Sequence, residues 1–197
     1  PVRSPSGLAA RGRPGMSAWL LAIPVVVLAA LGLYLSSTAG RLDRLHKRVD
    51  LARESLDAAL ARRSSVVTEL AGMMLPDPAS ALVLGDAAYG ASRAEEADPV
   101  SRGLAESDLT QVLVAVFEDR EQVAEIAALP DGEEMMEELQ SATRRVEMSR
   151  RFLNDAVRAC RAVRVQRFVR WFRLAGHTPW PNSFEMDDLP PTGFGVR

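Results

Sequence analysis

The sequence predicts an all-α protein. A single N-terminal transmembrane helix continues into an antiparallel three- to four-helix bundle or long coiled-coil hairpin. Three observations carry that prediction. Residues 18–35 (AWLLAIPVVVLAALGLYL) are 18 consecutive apolar, Gly or Pro residues. Beyond them, apolar residues recur at three- and four-residue spacing over long runs, the period of a helix face. No segment alternates apolar and polar residues for long enough to make a strand, and the valines at 25–27 fall inside the apolar stretch.

The membrane helix is placed at 17–39, within the uncharged stretch 14–40. At 1.5 Å rise per residue its apolar part spans roughly 27 Å, close to the ~30 Å hydrocarbon core. Trp19 and Tyr34 stand near its two ends, where amphipathic rings favour the interface. Pro24 lies in the second turn, which a membrane helix tolerates with a mild kink. A cleaved signal peptide is the competing reading, with Arg11 and Arg13 as its charged start and Ser37-Thr38-Ala39 as its cleavage site. The apolar run exceeds the usual length of such a peptide, and the helical pattern continues into Leu42 and Leu45, so a retained anchor is preferred.

Residues 1–15 are rich in Arg, Pro, Gly and Ser and read as a disordered tail, with Met16 a candidate true start. Arg41, Arg44, Lys47, Arg48 and Arg53 follow the anchor, whereas only Arg3, Arg11 and Arg13 precede it. The positive flank places the chain as a single-pass plasma-membrane protein with its C-terminal domain in the cytoplasm. Gly32, Ser36 and Gly40 form a small-xxx-small ladder able to pair helices into a homo-oligomer. The plainer account is ordinary small residues in an Ala-rich chain.

The bundle domain is placed at 41–176. Its first helix, about 41–75, carries the stripe Leu42, Leu45, Val49, Ala52, Leu56, Ala59, Val66, Leu70 and Met73, with Arg63 its one strongly polar member. Pro76-Asp77-Pro78 ends it. Residues 77–103 are rich in Gly, Ala, Ser and Asp and are expected to be flexible, with residues 79–89 either a short helix or a loop. A second helix, about 107–129, starts at a Ser107-Asp108 cap with Gln111 in a capping-box-like place. Its stripe is Leu109, Val112, Val116, Val123 and Ile126, and Leu129-Pro130-Asp131-Gly132 stops it. The short turn there sets the third helix antiparallel to it. That helix, about 132–175, has the cleanest repeat: Met135, Leu139, Ala142, Val146, Ser149, Leu153, Ala156, Cys160 and Val163. Gly176 and Pro179 end it, and 177–197 is a C-terminal tail.

The net charge of -2 excludes a nucleic-acid-coating protein, and one cysteine excludes an internal disulfide. It conceals an asymmetry: residues 77–140 hold 16 acids and 3 arginines, whereas 144–173 hold 10 arginines and 2 acids. Helices of opposite sign are expected to pack together. Arg outnumbers Lys 23 to 1, a sign of GC-rich coding.

The chemistry tests fail. His46 and His177 have no Ser or Cys partner pattern, and Cys160 lies on an apolar stripe as a structural residue. Phosphate-loop and dinucleotide-binding motifs are lacking, and a Nudix-like spacing from Gly132 to Glu138 meets Val146 where an Arg is required. Glu133, Glu134, Glu137 and Glu138 have cation-binding spacing but also suit a helix N-terminus. The expectation is therefore no catalytic residue, no cofactor and no metal. Residues 168–174 interleave Phe168, Trp171 and Phe172 with Arg170 and Arg173. Core capping by the aromatics is the first reading of this stretch, contact with anionic lipid the second and nucleic acid the least favoured. The lipid contact, if made, involves Arg170, Trp171, Phe172 and Arg173.

Two blocks carry a family resemblance. Residues 45–50 (LHKRVD) with 56–63 (LDAALARR), and residues 146–157 (VEMSRRFLNDAV), resemble the first and last helices of LemA family proteins. The ending 169–177 (VRWFRLAGH) followed by 184–188 (FEMDD) is similar to a GC-rich Gram-positive bacterial branch of that family. The match covers about 80 residues at the two ends. Residues 65–70 (SVVTEL) and Leu153-Asn154 depart from the family pattern. The resemblance implies an N-terminal anchor, a cytoplasmic helical bundle and no established catalytic activity.

The functional expectation is a membrane-anchored scaffold or protein-interaction module. Its partners are the lipid bilayer and a membrane or cytoplasmic protein, not nucleic acid. Arg62, Arg63, Arg150, Arg151 and Asn154 are the candidate interaction surface. The alternative is a regulatory or envelope-stress adaptor that touches anionic lipid through the basic-aromatic end of its last helix.

Overall fold

The computed structural model describes residues 16–194 except Arg173 and His177, with side chains from Ala22 onward. The tail 1–15, the charge balance at Arg3, Arg11 and Arg13, and the interfacial ring of Trp19 lie outside the described residues. The regular structure of the described residues is all helical, without strands.

Helix α1 (Met16–Gly72) is a single 57-residue rod that contains Pro24. At 1.5 Å per residue it is roughly 85 Å long. Its front is bare. From Leu42 onward one face is buried, through Val49, Leu56, Leu60, Val66, Val67 and Leu70. Leu45 and Ala52 only flank that face, and Met73 lies beyond the helix, exposed.

The segment 77–103 is mostly helical: the short helix allowed for at 79–89 is present in a longer form, and a second helix begins before the segment ends. Asp77 caps α2 (Pro78–Arg93) by accepting from the amides of Ala79 and Ser80, at 2.9 and 3.1 Å. Asp98 caps α3 (Pro99–Val116) by accepting from Val100 and Ser101, at 3.0 and 3.2 Å. In both places an aspartate N-cap precedes a proline at the first helical position, where its missing N–H costs nothing. Asp-Pro here starts helices, and α3 begins nine residues before the expected Ser107-Asp108 cap. Ala81, Leu84, Ala88 and Ala91 make the buried face of α2, and their small size lets it lie close on α1.

The expected 107–129 helix is also broken in its middle. Phe117 ends α3, and Asp119 caps the short α4 (Arg120–Ala127) by accepting from Glu121 N at 2.9 Å. At the break the Phe117 carbonyl accepts from Gly193 N at 3.1 Å, and the Phe117 ring packs on Phe194 from the chain end. Helix α5 (Gly132–Arg164) follows, and all nine positions of its predicted repeat are buried. It stops at Arg164 instead of running to 175. A turn at Val165 and Gln166 leads to α6 (Arg167–Trp171), which brings Val169 into the core beside Leu42.

His46 lies opposite Arg164, Ser55 opposite Ser149 and Arg62 opposite Glu138, so numbers fall along α5 as they rise along α1. Helix α2 packs on α1, and α3 packs on α2. Residues 178–194 form an extended strap rather than a free tail. Asn154 clasps Phe184 with both halves of its amide, donating to the carbonyl at 3.1 Å and accepting from the N–H at 2.9 Å. Arg161 donates to Pro181 O, and the Ser107 hydroxyl accepts from Asp187 N, at 2.8 and 2.9 Å.

Candidate functional site

The apolar core is divided into two clusters. One holds Val66, Leu70, Leu113, Phe117 and Leu139; the other holds Leu42, Leu56, Val146, Leu153 and Val169. On α1 and α5 the two clusters are separated in sequence by the buried polar residues Arg63, Ser64 and Thr143, while Glu106 and Thr110 are buried on α3, whose apolar residues Leu109, Leu113 and Phe117 all belong to the first cluster. Arg63 Nη2 donates to Glu106 Oε2 at 2.7 Å and to the Glu106 carbonyl at 3.2 Å, while Nη1 donates to Thr110 Oγ1 at 2.9 Å. The two charged side chains are 1% and 3% exposed. Burial pulls the Arg63 pKa down, and the Glu106 carboxylate opposes that shift. The Arg63 Nε has no partner. Such a pair depends on its partners being present together, because either charge alone is costly in a dry interior.

Glu106 also lines a pocket of about 420 Å³ between α1, α2 and α3, with Ser64, Ser65, Thr68, Ser92 and Arg102 around it. These groups can hydrogen-bond a polar molecule, but they include no nucleophile with a histidine beside it. Among the described residues no cluster of three or more His, Cys, Asp or Glu side chains could hold a metal ion. Cys160 is buried, and burial raises its pKa away from the reactive thiolate. Glu133 and Glu134 occupy the first turn of α5, where acidic charge suits the helix dipole, and Glu138 pairs with Arg62.

The five expected surface residues separate into two groups. Arg62 and Arg151 are exposed, paired with Glu138 and, at 2.5 Å, with Glu147. Arg63, Arg150 and Asn154 are engaged with partners inside the molecule. Arg63 faces the core; Arg150 grips Asp188 with two bonds, at 2.7 and 2.9 Å; Asn154 holds Phe184. These side chains are consumed inside the molecule because their hydrogen bonds are filled by its own strap and core. The basic stretch of α5 likewise pairs with the strap and with its own helix through Arg150, Arg151 and Arg158, instead of with the acids of 77–140; Glu138 of α5 itself bridges to α1.

The aromatics of α6 do not cap the core. Only Val169 enters it; Trp171 is 82% exposed and Phe168 and Phe172 are about half exposed. Arg170 is exposed, and Arg173 lies outside the described residues. The Phe168 ring meets Tyr34 of α1 edge-on, with centroids 6.2 Å apart. Trp180, which the sequence does not single out, lies 5.0 Å below the Arg164 guanidinium.

His46 is half-buried on the same end, its Nε2 3.3 Å from Arg164 Nη1. An arginine can only donate, so the ring nitrogen accepts and the imidazole is neutral. Burial first, and then the Arg164 charge, lower its pKa below the usual 6.5, against the smaller opposite pull of Asp50 and Asp43. The unfolded chain then binds more protons than the folded one just below pH 6.5. Stability is expected to be full above that pH and to decline as pH falls through it, until the folded His46 also titrates. Urea unfolding of the detergent-solubilised chain across this range checks it; an identical decline in His46→Gln would refute the assignment.

Glu106, Thr110 and Arg102 were missed by sequence reasoning. Glu106 carried a readable signal, since it shares one helix face with Leu109, Thr110, Leu113 and Phe117, all buried. A charge of each sign on two apolar stripes indicates a buried pair. Comparison of the chain with protein-family models, with curated proteins and with solved structures finds no match.

Proposed function

We propose that the chain is a membrane-anchored scaffold. It crosses the plasma membrane once, holds an antiparallel helical bundle at the cytoplasmic surface and docks a protein partner without chemistry of its own. One observation carries this reading. The helix α1 is long and apolar enough to cross a membrane, and its apolar window has no protein cover. Ile23, Val25, Val26, Val27, Leu28 and Leu33 each expose more than half their surface. Keeping such side chains in water costs about 1.5–3 kcal/mol each relative to burial, which favours a lipid environment. The basic flank from Arg41 to Arg53 supports the cytoplasmic orientation, and the LemA-like blocks at both ends of the bundle support the same plan.

Leu51, Met148 and Phe152 support the docking role. All three are exposed on the two long helices, where they offer apolar contact area. A photo-crosslinking residue at position 152 or 148 of the full chain in native membranes should give discrete adducts, and the chain should stay in the pellet after an alkaline carbonate wash. Release by the wash removes the anchor; retention without adducts from either position removes the scaffold surface.

A further inference from the structure

We propose that α6 is an interfacial element lying on the anionic headgroups of the bilayer that α1 crosses. This rests on the anchor reading of α1 and adds what the bundle does at the point where it meets the membrane. Depth is the first argument. The Phe168 ring packs edge-on against Tyr34, which sits at the end of the apolar stretch, and the first charge after it is Arg41. Seven residues of helix are roughly 10 Å, so α6 is held at the level where hydrocarbon gives way to headgroups.

The second argument is the disposition of its side chains. Val169 anchors α6 to the core beside Leu42. On the surface stand Trp171, 82% exposed, and the half-exposed Phe168 and Phe172. Large aromatic surface left open in this way is costly in water and favoured at the bilayer interface, where ring bodies meet acyl chains and polar edges meet water.

Charge is the third argument. Residues 156–184 contain six arginines and no acid. Arg161 and Arg164 are spent on strap carbonyls, and Arg158 pairs with Asp155. Arg167 and Arg170 are exposed, and no carboxylate of the described residues pairs with either. With Arg41 and Arg44, exposed on the adjoining turns of α1, they make a net positive field, in which the exposed Asp43 is paired with Lys47 at 3.0 Å. Anionic headgroups complement it, and the depth set by Tyr34 selects a membrane over a nucleic acid.

The test uses the full chain carrying Trp19→Phe and Trp180→Phe, so that Trp171 is the only indole. It is reconstituted into vesicles of phosphatidylcholine alone or of phosphatidylcholine with phosphatidylglycerol, each doped with bromolipid. Trp171 should be quenched strongly in the anionic vesicles and weakly in the neutral ones. Quenching should fall at about 1 M salt, where the Debye length shrinks to about 3 Å. Each arginine near an anionic surface shifts contact about fivefold, so Arg167→Gln with Arg170→Gln should weaken it more than about tenfold. Arg144→Gln, on an exposed side chain of α5 beside α4, should leave it unchanged. Carbonate-resistant insertion with Trp171 unquenched and open to acrylamide overturns the α6 proposal and spares the anchor. Failure to insert at all overturns both. Shielding of Trp171 from acrylamide in native membranes but not in lipid vesicles assigns the surface to a protein and also overturns it.

Discussion

Replacing Arg63 by methionine is expected to destabilise the folded chain by about 3–5 kcal/mol, measured by urea unfolding in detergent. The substitution conserves bulk and removes the charge. It leaves the Glu106 carboxylate 3% exposed and without its cationic partner. Thr110 also loses a donor at 2.9 Å. The cost arises from the stranded partner, so a second change should reverse most of it. Arg63→Met combined with Glu106→Leu and Thr110→Val replaces the polar layer by apolar packing, and such exchanges are commonly neutral or stabilising. A single-variant loss under about 1 kcal/mol would contradict the buried geometry. Recovery of stability with scrambled helix pairing, read as loss of a crosslink between cysteines placed at positions 55 and 149, would assign the layer a role in fixing register.

The second large effect is expected at Gly103. A Cβ built there would lie 2.3 Å from the carbonyl oxygen of Glu185 in the strap. Both groups are backbone, so no side-chain rotation relieves the overlap. Gly103→Ala should lift the strap between its pins at Asn154 and Ser107, at about 1–3 kcal/mol. The loss should appear locally as faster hydrogen exchange at the Phe184 and Asp187 amides. Gly90→Ala is the matching control. Nothing lies within 4 Å of its added methyl, and Gly90 sits inside α2, so alanine should stabilise by about 0.5–1 kcal/mol. Unchanged exchange at Phe184 in the Gly103 variant would remove the strap contact.

Helix α5 was legible residue by residue, because its apolar repeat is a property of 3.6-residue geometry and needs no partner to be read. The continuity of α1 through residues 40 and 41 was legible for the same reason, as was its apolar front. The error over 77–103 was local as well. Asp77-Pro78 and Asp98-Pro99 are start signals; the first was read as part of a stop, and the second was passed over within a stretch judged by its composition. The break at Phe117 was different in kind. Residues 107–129 read as one helix, and at the turn the carbonyls of Phe117 and Glu118 are taken up by Gly193 and Thr192, more than 70 residues away in sequence.

The sequence by itself determined the helical class, the apolar span near the N-terminus, the buried stripe of α5 and the scarcity of His and Cys. These are set by residue type and short-range spacing. Tertiary structure decided what each polar candidate does. Arg63, Arg150 and Asn154 carry the chemistry of a binding surface, yet they are filled by Glu106, Asp188 and Phe184, which lie 43, 38 and 30 residues away. Trp171 carries the chemistry of a core residue and stands outside, because only Val169 of its helix can reach Leu42. Spacing along a chain determines which side chains share a face; only the packing of distant segments decides whether that face meets protein, water or lipid.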